Sequence, residues 1–164
     1  MLVGLTCLAV VVQTTLITGW GPSALRPDLG LLLVLTWGLS FGPAHGLIAA
    51  LLGGFLLDSS SGLPFGAHLL ALVPVVLLSA ARETDLFASR ASLPFVLVPL
   101  ATLGYYVVLA LVLQMVGRPL DWDSAMRGVA AGMVLNAALS PLFYLVTSAL
   151  SVRFGDQFRT VSRP

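Results

Sequence analysis

The sequence predicts an all-α protein, a polytopic membrane helical bundle of six transmembrane helices. Of its 164 residues, 58% are hydrophobic and only 9% are charged, whereas about a quarter of the residues in soluble proteins are charged. The apolar runs at 29–35 and 95–100 do not alternate with polar residues as the strands of a membrane barrel do. Six spans of roughly 20 residues use about 120 residues, which excludes a separate aqueous domain.

Charges, prolines and glycines mark where each helix begins and ends. They predict a transmembrane bundle over 1–152, followed by a short cytoplasmic tail at 153–164. The six apolar stretches lie at about 1–19, 28–42, 44–58, 66–81, 93–116 and 125–152.

The second and third stretches could form either one long helix or two short ones, because no charged residue lies between Asp28 and Asp58. A single helix over this region would be about 43 Å long, well beyond a hydrocarbon core of about 30 Å. Gly42-Pro43 interrupts it near the middle, since proline lacks a backbone donor and disfavours helix at the preceding residue. We therefore predict two short helices and six spans; one long helix, and five spans, is the alternative.

The arginines predict the orientation, since positive residues concentrate in cytoplasmic loops. In the six-span topology both termini are cytoplasmic, and in the five-span topology the N-terminus is outside. Both topologies place residues 82–92 and the C-terminus in the cytoplasm. With six spans, the inner side carries Arg82, Arg90, Arg153, Arg159 and Arg163, and the outer side carries Arg26, Arg118 and Arg127.

The residues give no pattern typical of an enzyme. His45 and His68 are far apart and have no neighbouring acid or cysteine, and the serines at 59–61 do not form a Gly-x-Ser-x-Gly motif. We therefore predict no catalytic residue, no metal ligand and no cofactor. The net charge of +1 also excludes a nucleic-acid partner. A protein of this kind acts through contacts with the lipid bilayer and with other proteins.

The most informative motif places Gly54, Asp58, Gly62 and Gly66 at four-residue spacing. Gly54 and Asp58 share one face of the third helix, while Gly62 and Gly66 bracket a turn into the fourth helix. An aspartate at the end of an apolar helix is costly unless water or a partner satisfies it. We therefore interpret Asp58 as a site residue, with termination of the span in headgroup water as the alternative.

A partner for Asp58 follows from the six-span topology, which puts the Arg26-Pro27-Asp28 segment on the same, outer, side. We predict that Arg26 lies within ion-pair or water-bridged distance of Asp58. Pro27 is expected in the first turn of the second helix. In the five-span topology Arg26 and Asp58 would lie on opposite faces of the membrane.

The last helix carries a second pattern, with Gly128, Gly132, Asn136 and Ser140 at four-residue spacing. Small residues allow helices to approach closely, and an amide can form a hydrogen bond across the contact. This face either packs within the bundle or binds a partner's membrane helix. Asp123 is expected to cap the start of this helix.

At these residues the chain resembles the MreD family of bacterial rod shape-determining proteins. The resemblance rests on Gln13 in the first helix, on Arg26-Pro27-Asp28 and on the Gly54 to Gly66 motif. It implies a non-enzymatic scaffold in the inner membrane that belongs to the cell-elongation complex for peptidoglycan synthesis. The implied partners are MreC and, with it, RodA and a penicillin-binding protein, with MreB contacted indirectly. The resemblance also implies a fold similar to the substrate-binding S-components of energy-coupling-factor transporters.

A vitamin-binding subunit of such a transporter is the alternative function. It would need a pocket in which several polar or aromatic groups converge. It should also have an Ala-x-x-x-Ala face in the first helix, but Ala9 is followed at that spacing by Gln13. The scaffold is therefore the favoured prediction. Candidate pocket residues are His68, Tyr105, Tyr106, Gln114 and Asn136.

Overall fold

A computed structural model of the chain describes residues 1–17, 27–80, 93–118 and 120–159. These residues form helices and no strand, which confirms the all-α class. The helices are α1 (Leu2–Val12, continued by a π-helix over Gln13–Ile17), α2 (Leu29–Phe41), α3 (Pro43–Ser61), α4 (Ala67–Ala71), α5 (Val73–Ser79), α6 (Leu93–Met115) and α7 (Trp122–Arg159).

Helices α2 and α3 form an antiparallel pair that breaks at Gly42, where the sequence predicts the break. Gly42 has a φ of 106°, which favours glycine, and Pro43 is the first residue of α3. The two helices meet closely near the turn, because a Cβ on Gly46 would lie 3.0 Å from the Cα of Gly38. The single long helix is therefore excluded, and Asp28 and Asp58 lie at the same end of the pair.

Helix α2 lies at the centre of the bundle. Every residue from Gly30 to Leu39 is buried, as expected for a helix that is apolar on all sides. Helices α1, α3, α5, α6 and α7 pack around it. These outer helices carry large exposed apolar side chains, so the outer surface of the bundle is apolar. Examples are Leu8, Phe55, Leu77, Leu111 and Leu145.

Among the described residues, two helices are long and apolar enough to cross a membrane, over Phe95–Met115 and Trp122–Arg153. Shorter apolar helices lie at Leu2–Thr15, Leu29–Phe41 and Ala67–Ser79. The last of these is interrupted at Leu72, just before Pro74. Helix α7 continues to Arg159, so the first part of the segment predicted as a tail is helical.

The start of α7 differs from the sequence prediction. Asp121, the residue before the helix, accepts a hydrogen bond from the Ser124 hydroxyl through its carboxylate, and its backbone carbonyl accepts the N–H of Ala125 at 2.9 Å. Asp123 lies in the first turn of the helix. The prediction that Asp123 caps α7 is therefore wrong, because the helix begins at Trp122 and the residue that precedes it takes the capping role.

Candidate functional site

A network of polar side chains lies at the end of the bundle where α2 begins and α3 ends. We call it the polar cluster. It joins α1, α2, α6 and α7 through hydrogen bonds in an otherwise apolar interior. Its members are Gln13, Asp28, Thr102, Tyr106 and Asn136.

Gln13 connects α1 to the start of α2. It is the first residue of the π-helical segment, and such segments are frequent at functional sites. Its Nε2 donates to Asp28 Oδ1 at 2.8 Å, and its Oε1 accepts the N–H of Gly30 at 3.0 Å. The N–H of Gly30 is one of the groups that a helix leaves without an internal partner. Gln13 therefore caps α2 from a neighbouring helix.

Asn136, on α7, also bonds a backbone N–H group at the start of α2. Its Oδ1 accepts the backbone N–H of Asp28 at 2.8 Å, and its Nδ2 donates to Thr102 Oγ1 at 3.1 Å. The side chain is fully buried. Asn136 thus holds α7 against both α2 and α6, as expected for an amide between membrane helices.

The carboxylate of Asp28 is the centre of the polar cluster. Asp28 is only 7% exposed. The hydroxyl of Tyr106 donates to its Oδ2 at 2.8 Å, while Gln13 donates to its Oδ1. Both of these donors, which belong to the described part of the chain, are neutral, and they bond different carboxylate oxygens. Pro27 precedes Asp28, the N-cap of α2, so the prediction that Pro27 lies in the first turn of the helix is wrong.

Asp58 has a different role, at the corner between α3 and α4. It is buried, and its carboxylate accepts the N–H groups of Gly66 at 2.9 Å, His68 at 2.8 Å and Leu69 at 3.4 Å. These donors belong to the start of α4, where a carboxylate is favoured by the helix dipole. Asp58 therefore caps α4 from the end of α3. Arg26 lies outside the described residues, so the predicted Arg26–Asp58 ion pair remains a prediction.

The glycines of this motif shape the corner. Gly62 and Gly66 have φ angles of 65° and 95° and flank the turn, as the sequence predicts. Gly54 lies against the backbone of α4, where a Cβ would be 2.9 Å from the Cα of Leu69. The close contact at Gly54 lets α4 begin beside the end of α3, within reach of Asp58.

His68 and Tyr105 form a second buried pair. The Nδ1 of His68 and the hydroxyl of Tyr105 are 2.7 Å apart, and the two rings are nearly parallel. Tyr105 also packs edge-on against Tyr106, with ring centroids 5.3 Å apart. From the sequence, Tyr105 and Tyr106 are predicted only as candidate residues of a vitamin-binding pocket. No sequence signal indicates the bond between Thr102 and Asn136, because a threonine in an apolar helix ordinarily bonds to its own backbone.

A groove runs between α6 and α7 and encloses a cavity of about 530 Å³. It is lined by α6 between Leu103 and Gln114, by Leu120, and by α7 between Trp122 and Val129. Among the described residues that line the groove, only Tyr106, Gln114 and Trp122 have a nitrogen or oxygen atom in the side chain. The groove can therefore accept an apolar group.

The two glycines of the α7 pattern differ in their surroundings. A Cβ on Gly128, in the groove, would have no atom within 4 Å, whereas one on Gly132 would lie 3.5 Å from the ring of Tyr106. Gly132 and Asn136 pack within the bundle, and Gly128 faces open space. The small-residue face thus has an internal part and an open part.

Within the described ranges, no group of three or more His, Cys, Asp or Glu side chains is placed to hold a metal ion.

Residues 1–151 match the family model described as rod shape-determining protein MreD. Searches of curated proteins and of solved structures each returned no match. The apolar helices fit the transmembrane helices of a protein that determines cell shape. The match covers most of the chain, and the protein therefore belongs to the MreD family of rod shape-determining membrane proteins.

Proposed function

We propose that the protein is a non-enzymatic scaffold of the bacterial cell-elongation complex that binds MreC in the inner membrane. Through MreC it supports peptidoglycan synthesis by RodA and a penicillin-binding protein, and it is linked indirectly to MreB. Membership of the MreD family supports this role. Of the residues that the structure describes, few lie outside the helices, and we propose that contacts with cytoplasmic proteins run through a bridging partner.

One observation carries the proposal: the groove between α6 and α7 is apolar and has open space at Gly128. Interfaces between membrane helices use small residues because the helices can then approach closely. The side chains of the polar cluster, in contrast, are bonded to each other and to the start of α2 in the interior. The groove therefore suits the membrane helix of MreC better than it suits a polar solute.

We further propose six spans, with both termini in the cytoplasm. The antiparallel pair of α2 and α3 supports an even number of crossings, because it returns the chain to the side from which it came. The arginine distribution supports the orientation. In this topology the polar cluster and the groove lie toward the outer face of the membrane.

Cysteine accessibility tests the topology. In a Cys7→Ser background, Ser60→Cys at the exposed end of α3 is expected to react with an impermeant maleimide in intact spheroplasts. Ser162→Cys in the C-terminal segment is expected to react only after permeabilisation. The opposite pattern would contradict the orientation, and labelling of both sites in intact spheroplasts would contradict the odd number of crossings between them. A cysteine added before Met1 is expected to react only after permeabilisation, and its labelling in intact spheroplasts would contradict the even total number of crossings.

Co-purification in detergent tests the interface. Gly128→Leu is expected to remove MreC from the purified protein while the monomer stays folded, because the new side chain fills open space in the groove. Gly4→Leu is the matched control: Gly4 lies on α1 and also has no atom within 4 Å of a Cβ. Retention of MreC by Gly128→Leu would remove the groove from the interface.

The geometry favours the scaffold over a vitamin-binding subunit, because only two of the five candidate pocket residues, Tyr106 and Gln114, line the groove. His68 and Tyr105 are bonded to each other, Tyr106 is bonded to Asp28, and Asn136 is bonded within the polar cluster. Their polar groups are therefore already satisfied inside the bundle. A panel of vitamins is expected to leave the thermal unfolding of the protein unchanged, since a tight ligand would shift it.

A further inference from the structure

Tyr106 belongs to the groove and to the polar cluster at the same time. Its side chain lines the groove, and its hydroxyl donates to Asp28 Oδ2 at 2.8 Å. Gln114 and Trp122, which also bring polar atoms to the groove wall, form no hydrogen bond with the cluster in the part of the chain that the structure describes. Tyr106 is thus a direct connection between the outer groove and the start of α2.

The position of the Tyr106 ring depends on three contacts. Gly132 lies against the ring, where a Cβ would be 3.5 Å away, and Tyr105 packs edge-on against it. The hydrogen bond to Asp28 holds the far end of the side chain. A hydrogen bond is directional, so the carboxyl group of Asp28 determines where this part of the groove wall lies.

The same carboxylate lies at the capped end of α2. The N–H of Asp28 is bonded to Asn136, and the N–H of Gly30 is bonded to Gln13, which also donates to Asp28. A shift of the Tyr106 hydroxyl changes the hydrogen bonding of Asp28. The side chain of Asp28 bonds no N–H of α2 itself. Such a shift therefore reaches the first turn of α2 through Gln13, which bonds both Asp28 and the N–H of Gly30.

We propose that Tyr106 is a positioning residue that couples occupancy of the α6–α7 groove to the stability of the first turn of α2 through Asp28. This inference rests on the proposed function, since MreC is the occupant of the groove. Coupling between two sites is reciprocal. Loosening the contact between Tyr106 and Asp28 therefore weakens MreC binding, and MreC binding stabilises the first turn of α2.

Tyr106→Phe tests the coupling, because it keeps the ring in the groove and removes only the hydroxyl. MreC affinity is expected to fall roughly tenfold, in line with the loss of one buried hydrogen bond. In the wild type, MreC is expected to slow amide hydrogen exchange at 28–30, and in Tyr106→Phe this slowing is lost. The matched control is Tyr144→Phe on α7, a half-buried tyrosine outside the groove lining, which is expected to behave like the wild type.

Asp28→Asn is the second variant, and it tests the proposed coupling if Tyr106→Phe does not fold. Asp28 does not line the groove, so a purely local role predicts wild-type affinity for MreC. The coupling predicts affinity reduced by roughly three- to tenfold, because one amide oxygen cannot replace two carboxylate oxygens that each accept a hydrogen bond.

The outcomes separate the two proposals. If Gly128→Leu still binds MreC, the groove is not the interface and the proposed function fails. If Gly128→Leu loses MreC while Tyr106→Phe and Asp28→Asn bind it as the wild type does, only the coupling is overturned. Equal slowing of exchange at 28–30 in the wild type and in Tyr106→Phe would also overturn it.

Discussion

Gln13 and Asp28 are joined by a 2.8 Å hydrogen bond from the amide Nε2 to Oδ1, although one residue belongs to the first helix and the other precedes the second. The same amide accepts the N–H of Gly30 through its oxygen at 3.0 Å. Gln13 thus supplies a donor to a buried carboxylate and an acceptor to a helix end. Without Gln13, the Oδ1 of Asp28 and the N–H of Gly30 would lose these partners, which is costly for buried polar groups.

Gln13→Leu is therefore expected to destabilise the bundle by about 1–3 kcal/mol, the cost of leaving buried polar groups without a partner. Thermal unfolding in detergent measures the effect. Gln114→Leu is the matched control, because Gln114 is exposed in the groove and its replacement is expected to leave the unfolding temperature nearly unchanged. Equal unfolding temperatures for the two variants would show that the bonds made by Gln13 contribute nothing to stability.

Gly54→Ala is expected to destabilise the corner between α3 and α4. The added Cβ would lie 2.9 Å from the Cα of Leu69, so one of the two backbones has to move. Overpacking of this kind costs about 1–3 kcal/mol. Gly128→Ala is the control, because its Cβ meets no atom within 4 Å, and alanine is favoured over glycine in a helix. A Gly54→Ala protein as stable as the wild type would rule out a tight contact here.

Asp58→Ala is expected to loosen the start of α4, because Gly66, His68 and Leu69 lose the acceptor of their N–H groups. Amide hydrogen exchange at 66–69 should become faster, and the protein should lose roughly 1–3 kcal/mol of stability. Asp58→Asn keeps one acceptor oxygen and is expected to be intermediate. Unchanged exchange at 66–69 in Asp58→Ala would contradict the capping role.

The pKa of Asp121 predicts how the stability of the first turn of α7 depends on pH. The hydrogen bond from the Ser124 hydroxyl lowers the pKa of Asp121 below its ordinary value of 3.8. A lowered pKa means that the stabilisation is fully present above the ordinary value and is lost as the pH falls through the lowered one. The first turn of α7 should therefore open only in strongly acidic solution.

NMR shifts of Ser124 and Ala125 during an acid titration measure this opening. Asp121→Ala is expected to leave the turn open already at neutral pH, since it removes the cap. Asp123→Ala, two residues later, is expected to keep the wild-type transition. If Asp123→Ala opens the turn and Asp121→Ala does not, Asp123 is the cap after all.

Much of the fold was predictable because it follows from local chemistry. The break at Gly42-Pro43 needs only a proline that lacks a donor and a glycine with a positive φ. The turn between Gly62 and Gly66 has the same origin. The spacing of Gly54 and Asp58 placed them on one helix face, but their partners, the backbone of Leu69 and the N–H groups of α4, depend on how the chain returns.

The polar cluster was less predictable, because its members are far apart in the chain. Asn136 was expected to form a hydrogen bond between helices, and it does, but its partners are the N–H of Asp28 and the hydroxyl of Thr102. No spacing rule connects residues that are 108 positions apart. The same holds for Tyr106, whose contact with Asp28 depends on the packing of α6 against α2.

The sequence by itself determined that the protein is helical, that it belongs in a membrane, and where most of its helices begin and end. These properties depend on composition and on residues close together in the chain, which act through the hydrophobic effect and backbone geometry. The tertiary structure alone decided that Asp28 is held by Gln13 and Tyr106, that Asp58 caps α4, and that Gly128 is open while Gly132 is packed. Those outcomes depend on which faces of distant helices meet, and every apolar face has nearly the same affinity for every other.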